Sequence, residues 1–189
     1  YFKPSNDIVE VVKEMQSLKI IPVIHTDSTI LETGCNVGRN LYYLQNEYNC
    51  NVVGIDISER VIYLAKNKIW KGRNKFKFHI ENVLTTDYFN NLEDNTFDLV
   101  ITRWHLIHIP LTEEKRKYID SLKRVGKVLI ILEPVREGCN EIQLYQGGTY
   151  CLSWDNWVIE YGLREYNSKL LSLFDSGTKV FYYNKEGVC

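Results

Sequence analysis

Apolar positions repeat with two different spacings over the first 134 residues. Five short runs rich in Val, Ile, Leu and Phe predict β-strands, at residues 28–32, 51–56, 76–80, 97–102 and 127–133. Apolar residues at helical spacing predict helices at 41–48, 58–69 and 112–124, after a leading helix that ends before Pro22. Strands that alternate with helices form βαβ units, so the pattern predicts an α/β protein with a parallel sheet covered on both faces.

The pattern changes after Pro134. A polar, glycine-containing stretch runs to residue 148, a helix is predicted at about 153–161, and two strands are predicted at 170–174 and 179–183. The short turn between these two strands is typical of an antiparallel hairpin. No internal repeat or low-complexity linker interrupts the sequence, so we predict that residues 1–189 form one domain.

Composition and charge exclude several protein classes. The 189 residues are 44% hydrophobic, and 23 basic residues nearly balance 24 acidic ones, which gives a net charge of −1. No run approaches the roughly 18 apolar residues of a membrane helix, and a nearly neutral chain attracts nucleic acid weakly. We therefore expect neither a membrane nor a nucleic acid as a partner.

The distribution of cysteines and the amino-acid composition indicate where the protein is located and what kind of genome encodes it. The five cysteines are scattered and form no CxxC pair, which predicts free thiols and a cytoplasmic location. The single alanine beside abundant Ile, Lys and Asn indicates an AT-rich, bacterial genome. The chain begins at Tyr1 rather than Met, so we expect native residues to precede it.

A glycine turn follows the first predicted strand. Gly34 lets the chain turn sharply, and Gly38 lets the next helix pack closely. Glu32 would repel the pyrophosphate of a dinucleotide, and the G-x-G-x-x-G spacing is missing, so a nicotinamide-dependent oxidoreductase is disfavoured. Asp56 ends the second strand, where a carboxylate can accept hydrogen bonds from two ribose hydroxyls. Glu32 and Asp56 together predict a site for a nucleoside that carries a positive charge.

These residues resemble motif I of the class I S-adenosylmethionine-dependent methyltransferases, an acidic residue followed by G-x-G-x-G, with Asn36 at the middle glycine. The resemblance covers residues 28 to about 134 well and the tail loosely. It implies a Rossmann-like, mostly parallel seven-stranded sheet with helices on both faces and a C-terminal antiparallel hairpin. It also implies the cofactor S-adenosyl-L-methionine, which leaves as S-adenosyl-L-homocysteine.

The same resemblance divides the chain and assigns its cofactor residues. Residues 1–27 become a leading helix, 28–134 a cofactor-binding core, and 135–189 an acceptor lid with the terminal hairpin. Glu81, Asn82 and Val83 match the position that holds adenine, and residues 97–100 match motif IV. The residues assigned to the cofactor are Glu32, Gly34, Cys35, Asn36, Gly38, Asn40, Asp56, Ile57, Asn82, Val83 and Thr102.

A narrower likeness points to the acceptor. The phrase Leu106-Ile-His-Ile-Pro110, its spacing to Glu133 and the run that starts at Tyr145 resemble small bacterial methyltransferases found beside surface-sugar genes, the pseudaminic-acid group among them. This likeness implies a small polar acceptor, sugar-related or phosphorylated, in capsule or polysaccharide biosynthesis. Oxygen is the preferred acceptor atom.

Candidate acceptor residues follow the fourth and fifth strands. His105 is either a general base or a packed histidine, and His108 is expected to be a structural partner under the loop. Glu133 ends a buried strand, so it is either a second base or a group that orients the acceptor. The residues predicted to bind the acceptor are Arg103, Trp104, Arg136 and Tyr145. No third metal-ligating side chain lies at ligand spacing from the two histidines, so no metal is expected.

Other functions remain as alternatives at this point. The basic stretch at residues 60–77 is interpreted as the solvated side of a helix rather than a nucleic-acid patch. The same fold could serve as a non-catalytic binding subunit, or as a methyltransferase acting on protein or RNA. Our prediction is a methyltransferase of class EC 2.1.1 that acts on a small molecule, with a homodimer as its expected assembly if it associates.

Overall fold

The computed structural model describes residues 7–110, 112–134, 144–145, 149–150, 161–167 and 178–185. The strands are β1 Thr29–Thr33, β2 Asn51–Asp56, β3 Phe76–Ile80, β4 Phe97–Arg103, β5 Gly126–Pro134, β6 Leu144–Tyr145, β7 Thr149–Tyr150, β8 Arg164–Tyr166 and β9 Thr178–Asn184. The α-helices are α1 Asp7–Ser17, α2 Arg39–Tyr48, α3 Glu59–Leu64 and α4 Glu113–Val125, with a π-helical turn at Ala65–Ile69 and a 3-10 turn at Leu106–His108.

Seven of the strands form one sheet in the order β3-β2-β1-β4-β5-β9-β8. The first five strands in chain order pair in parallel, and β9 runs antiparallel to both β5 and β8. The predicted Rossmann-like, mostly parallel seven-stranded fold is therefore confirmed. The two-residue strands β6 and β7 pair with each other in a separate antiparallel ladder.

Alternating side chains divide the core between the two faces of the sheet. In β1, Ile30 packs with α1 and α2 on one face, whereas Leu31 packs with α4 on the other, and both are fully buried. Strands buried on both faces consist almost wholly of apolar residues, which is why β4 and β5 lack a polar alternation. The helices cover both faces, as predicted.

The predicted antiparallel arrangement of the C-terminal strands is confirmed. The predicted second arm corresponds to β9, and in the described chain β8 is its outer antiparallel neighbour, paired from Arg164 opposite Tyr182 to Tyr166 opposite Val180. The predicted first arm at 170–174, and nearly all of the predicted helix at 153–161, lie outside the described residues.

The strand order reverses between β1 and β4. Strands β2 and β3 are added on one side of β1, and the next strand along the chain, β4, lies on its other side. Open parallel sheets bind ligands at the carboxyl ends of the strands beside such a switch point. The carboxyl ends of β1, β2 and β4 therefore position the site.

Candidate active site

A cavity of about 450 Å³ lies at the carboxyl ends of these strands. This volume falls within the range typical of small-molecule sites, roughly 300–1,000 Å³. Its walls come from the turn after β1, the end of β2, the segment after β3 and the loop after β4, and consist of Gly34, Asn36, Asp56, Ile57, Glu81, Asn82, Val83, Leu84, Trp104, His105, His108, Ile109 and Pro110. We call residues 104–110 the β4 loop.

The turn after β1 depends on a missing side chain at Gly34. Gly34 has φ +65°, and a Cβ there would lie 2.4 Å from the ring of His105. Asn36 also adopts a left-handed backbone, with φ +53°, which asparagine tolerates better than most residues. Its side-chain oxygen accepts a hydrogen bond from the Val37 amide at 2.8 Å, so the turn keeps its shape without the middle glycine.

Asp56 joins the turn to the end of β2. One carboxylate oxygen accepts a hydrogen bond from the Asn36 amide at 2.8 Å, and the other accepts from the Ser58 amide at 2.9 Å. Ile57 follows, is 66% exposed and also lines the cavity. The carboxylate is thus fixed at the cavity wall, with lone pairs left for further donors.

The segment after β3 supplies the adjoining wall. The side-chain oxygen of Asn82 accepts from the Leu84 amide at 3.1 Å, and Glu81 accepts from the Thr86 hydroxyl at 2.6 Å. Asp56 and Glu81 are the carboxylates of the wall, and among the described residues no Lys or Arg contributes to it. The wall therefore favours a cationic ligand over an anionic one.

The β4 loop places two histidines differently. His105 packs its ring over Gly34 and edge-on to Tyr118, and its buried Nε2 atom has no hydrogen-bond partner among the described residues. Burial lowers the pKa of His105 to about 4. His108 is exposed on the cavity wall instead of lying under the loop as expected. Trp104 is 38% exposed on the same wall.

Glu133 and Thr102 lie beneath the loop and do not line the cavity. Both are fully buried. One oxygen of Glu133 accepts from the amides of His105 and Leu106 at 2.8 and 2.9 Å. Burial raises the pKa of Glu133 to about 7, against the opposing effects of these amides and of Lys115.

A chain of polar contacts crosses the opposite face of the sheet. Asn40 donates to Glu32 at 2.5 Å and accepts from Arg103 at 3.2 Å, and Arg103 approaches Asp7 of α1 at 3.6 Å. Burial raises the pKa of Glu32 to about 7, and in the part of the chain that the structure describes its second carboxylate oxygen has no hydrogen-bond partner. Arg103 therefore lies behind the turn instead of on the acceptor side, because alternation along β4 turns it to the face of Ile101.

The remaining predicted site residues divide into two groups. Cys35 and Gly38 lie behind the turn: the Cys35 sulfur faces Gly54, and a Cβ at Gly38 would lie 2.6 Å from the Phe78 ring. Arg136 falls outside the described residues, and Tyr145 is described only as part of strand β6.

The described residues contain no helix that is long and apolar enough to cross a membrane. No group of three His, Cys, Asp or Glu side chains in that part of the chain is arranged to hold a metal ion.

The sequence is similar to a methyltransferase family and to individual methyltransferases. Residues 30–128 match the family model described as a methyltransferase domain. Phosphoethanolamine N-methyltransferase of Plasmodium falciparum is 29% identical over 111 residues, which cover 57% of this chain and 40% of that protein. Phosphoethanolamine N-methyltransferase 2 of Caenorhabditis elegans is 32% identical over 106 residues, 55% of this chain and 23% of that protein. The chain thus spans less than half the length of these relatives.

Solved structures share the fold at low sequence identity. A SAM-dependent methyltransferase from Aquifex aeolicus is 20% identical, with a TM-score of 0.57, and the match covers 95% of this chain and 97% of that one. The bifunctional kinase-methyltransferase WbdD is 17% identical, with a TM-score of 0.64, over 95% of this chain and 38% of that one.

Proposed function

Because the chain belongs to the methyltransferase domain family, we propose that it transfers a methyl group from S-adenosylmethionine to a small polar acceptor. The observation that carries the proposal is a single cavity in which the Gly34 turn and Asp56 face the β4 loop with its exposed His108. One side of this cavity suits a nucleoside and the other suits a polar acceptor.

The described residues fit the cofactor. Asp56 stands where it can accept hydrogen bonds from ribose hydroxyls, and Asn82 and Val83 wall the position expected for adenine. The two wall carboxylates favour a ligand with positive charge. When bound, the cofactor supplies an electrophilic sulfonium methyl group.

The acceptor side rests on Trp104 and His108. Trp104 is an apolar surface that excludes water beside the reacting groups, and exclusion of water strengthens the polar interactions that remain. Methyl transfer to a hydroxyl or an ammonium requires removal of a proton. His108 is exposed to the cavity and takes that role in our proposal, whereas the Nε2 atom of His105 is buried. His105 instead packs the loop against Gly34.

The acceptor class is the finer part of the proposal. Several relatives are named phosphoethanolamine N-methyltransferases, so a small phosphorylated primary amine is the first acceptor to test. The oxygen of a sugar-related metabolite in surface-glycan biosynthesis, predicted from the sequence, is the second. Both are compact, polar molecules whose reacting atom must lose a proton.

The test separates binding from turnover. Calorimetry with S-adenosylhomocysteine measures the cofactor side alone, and mass spectrometry then detects methylated products from phosphoethanolamine, sugar phosphates, a peptide pool and RNA. Lack of S-adenosylhomocysteine binding would overturn the proposal. Binding without turnover on any acceptor would favour a non-catalytic subunit, and methylated peptide or RNA would redirect the acceptor class.

Two histidine variants test the proton-transfer role. His108→Gln is expected to lower kcat by about 100-fold or more, in line with general-base contributions of 10² to 10⁴, while binding of S-adenosylhomocysteine changes little. His25→Gln is the matched control, because His25 is an exposed histidine near the amino end of β1, on the opposite edge of the sheet. Equal activity of the two variants would remove His108 from the mechanism.

A further inference from the structure

We propose that Glu133 is a positioning residue that holds the β4 loop in the conformation presenting Trp104 and His108 to the cavity. This inference rests on the proposed function, because it assigns Glu133 an effect on methyl transfer through the loop. It replaces the two roles predicted from the sequence, a second base or a group that orients the acceptor.

The contacts place Glu133 at the start of the 3-10 turn in the loop. A single carboxylate oxygen accepts from two successive amides, those of His105 and Leu106. The first amides of a helical turn have no partner within the turn, so a carboxylate at that end satisfies groups that would otherwise be buried without one. Glu133 is itself fully buried, so solvent does not take its place.

The other end of the same turn is held by a group of opposite charge. The ammonium of Lys115, also fully buried, donates to the carbonyl oxygens of Leu106 and Ile109, both at 2.9 Å. An anion at the start of a helical turn and a cation at its end both complement the peptide dipoles. The loop is thus fixed at both ends by buried charges from β5 and α4.

The loop needs this restraint because one of its residues has a costly backbone. Trp104 has φ +52°, a conformation that costs a residue with a side chain roughly 1–2 kcal/mol. The Trp104 amide donates to the Leu132 carbonyl at 2.9 Å, so the chain leaves β4 in register with β5 and then turns. Glu133 is the next residue of β5, which places its carboxylate where the strained turn ends.

A pair of nearly isosteric variants tests the role. Glu133→Gln keeps a side-chain oxygen that can accept from both amides, whereas Glu133→Met keeps the volume and has no acceptor. Hydrogen exchange of the protein without ligand is the first measurement, with residues 51–56 of β2 as the internal reference. We expect exchange of the amides of residues 105–109 to rise at least tenfold in Glu133→Met and to stay within threefold of wild type in Glu133→Gln, with β2 unchanged in both.

Steady-state kinetics provide the second measurement. Glu133→Met is expected to lose at least tenfold in kcat, with a smaller change in the affinity for S-adenosylhomocysteine, and Glu133→Gln to recover most of that loss. If Glu133→Met does not fold, Lys115→Met tests the same restraint from the other end of the turn and is expected to raise exchange in the same residues.

Each outcome decides between roles. Unchanged exchange in Glu133→Met would overturn the proposal. Equal loss of activity in Glu133→Gln and Glu133→Met, with normal exchange in Glu133→Gln, would make the carboxylate a chemical participant and overturn it as well. Faster exchange in Glu133→Met in a protein that methylates no acceptor would support the restraint on the loop while removing the proposed function.

Discussion

Replacing Gly34 with alanine tests whether the cavity depends on the fit between the β1 turn and the β4 loop. Two costs add at this position. The backbone at φ +65° disfavours any Cβ by roughly 1–2 kcal/mol. The new methyl group would also lie 2.4 Å from the His105 Cγ and Nδ1 atoms, and crowding of this kind costs roughly 1–3 kcal/mol. The expected loss of unfolding free energy is therefore about 2–5 kcal/mol.

A second glycine with a left-handed backbone, Gly72, serves as a control that separates the steric cost from the backbone cost. Gly72 has φ +80°, and no atom of the described residues would lie within 4 Å of a Cβ added there, so Gly72→Ala should show only the backbone cost. Urea denaturation measures both variants. His105→Ala in the Gly34→Ala background should recover about 1–3 kcal/mol in a double-mutant cycle. Equal destabilisation of the two glycine variants, or no coupling to His105, would refute the steric argument.

Gly34→Ala should also weaken ligand binding. The His105 ring cannot move away cheaply, because its Cβ and Cγ atoms, close to the backbone, are among those the new methyl group would meet, and that backbone is bound to Glu133. The turn must therefore shift instead, and Gly34 is part of the cavity wall. Calorimetry with S-adenosylhomocysteine should show at least a tenfold loss of affinity, whereas Gly72→Ala should bind as wild type does.

Three further predictions concern charge and packing. Burial raises the pKa of Glu32 from 4.5 to about 7, so the folded protein favours the protonated form of this side chain. The resulting stabilisation is complete below pH 4.5 and is lost as the pH rises through 7. It amounts to at most roughly 3 kcal/mol. Glu32→Gln should therefore reduce the fall in unfolding free energy between pH 5 and pH 8, measured by urea denaturation, and an unchanged slope would contradict this. Asp56→Asn leaves only one side-chain oxygen to accept from the Asn36 and Ser58 amides. We expect calorimetry to show at least a tenfold loss of affinity for S-adenosylhomocysteine, and the free energy of unfolding to fall by about 1 kcal/mol. Leu44→Ala, at a fully buried position of α2, should cost about 2–5 kcal/mol in thermal unfolding without changing the cavity wall.

Local patterns predicted the central strands closely. The predicted β2 and β3 agree with the structure at both ends, β4 is longer by one residue at its end, and β1 and β5 differ by one residue at each end. Each run is apolar enough to be buried and is bounded by polar or turn-forming residues, so the information lies within a few neighbouring positions. The helix predicted at 58–69 is interrupted, because the α-helix ends at Leu64 and a π-helical turn follows. Hydrophobic spacing does not distinguish one helical pitch from another over five residues.

The roles of polar residues depended on contacts that no local pattern contains. Arg103 was predicted to bind the acceptor because it follows a buried strand, but its partners are Asn40 and Asp7, from α2 and α1. Glu133 was predicted to act on the acceptor as a base or as an orienting group, since a charge at the end of a buried strand is costly unless it faces a cavity or a partner. The partners are the two loop amides, which are visible only once β4 and β5 are paired.

The two histidines are a second case in which local sequence does not determine the role of a polar residue. His105 and His108 are three residues apart, and the sequence alone favoured His105 as the base. The 3-10 turn begins only at Leu106, so His105 precedes it and directs its ring into the space above Gly34, while His108 ends the turn in solvent. A glycine far earlier in the chain therefore determines which imidazole is buried and which faces the cavity. Gly34 shapes the β4 loop as well as the β1 turn, because the missing side chain leaves room for the loop that carries His108.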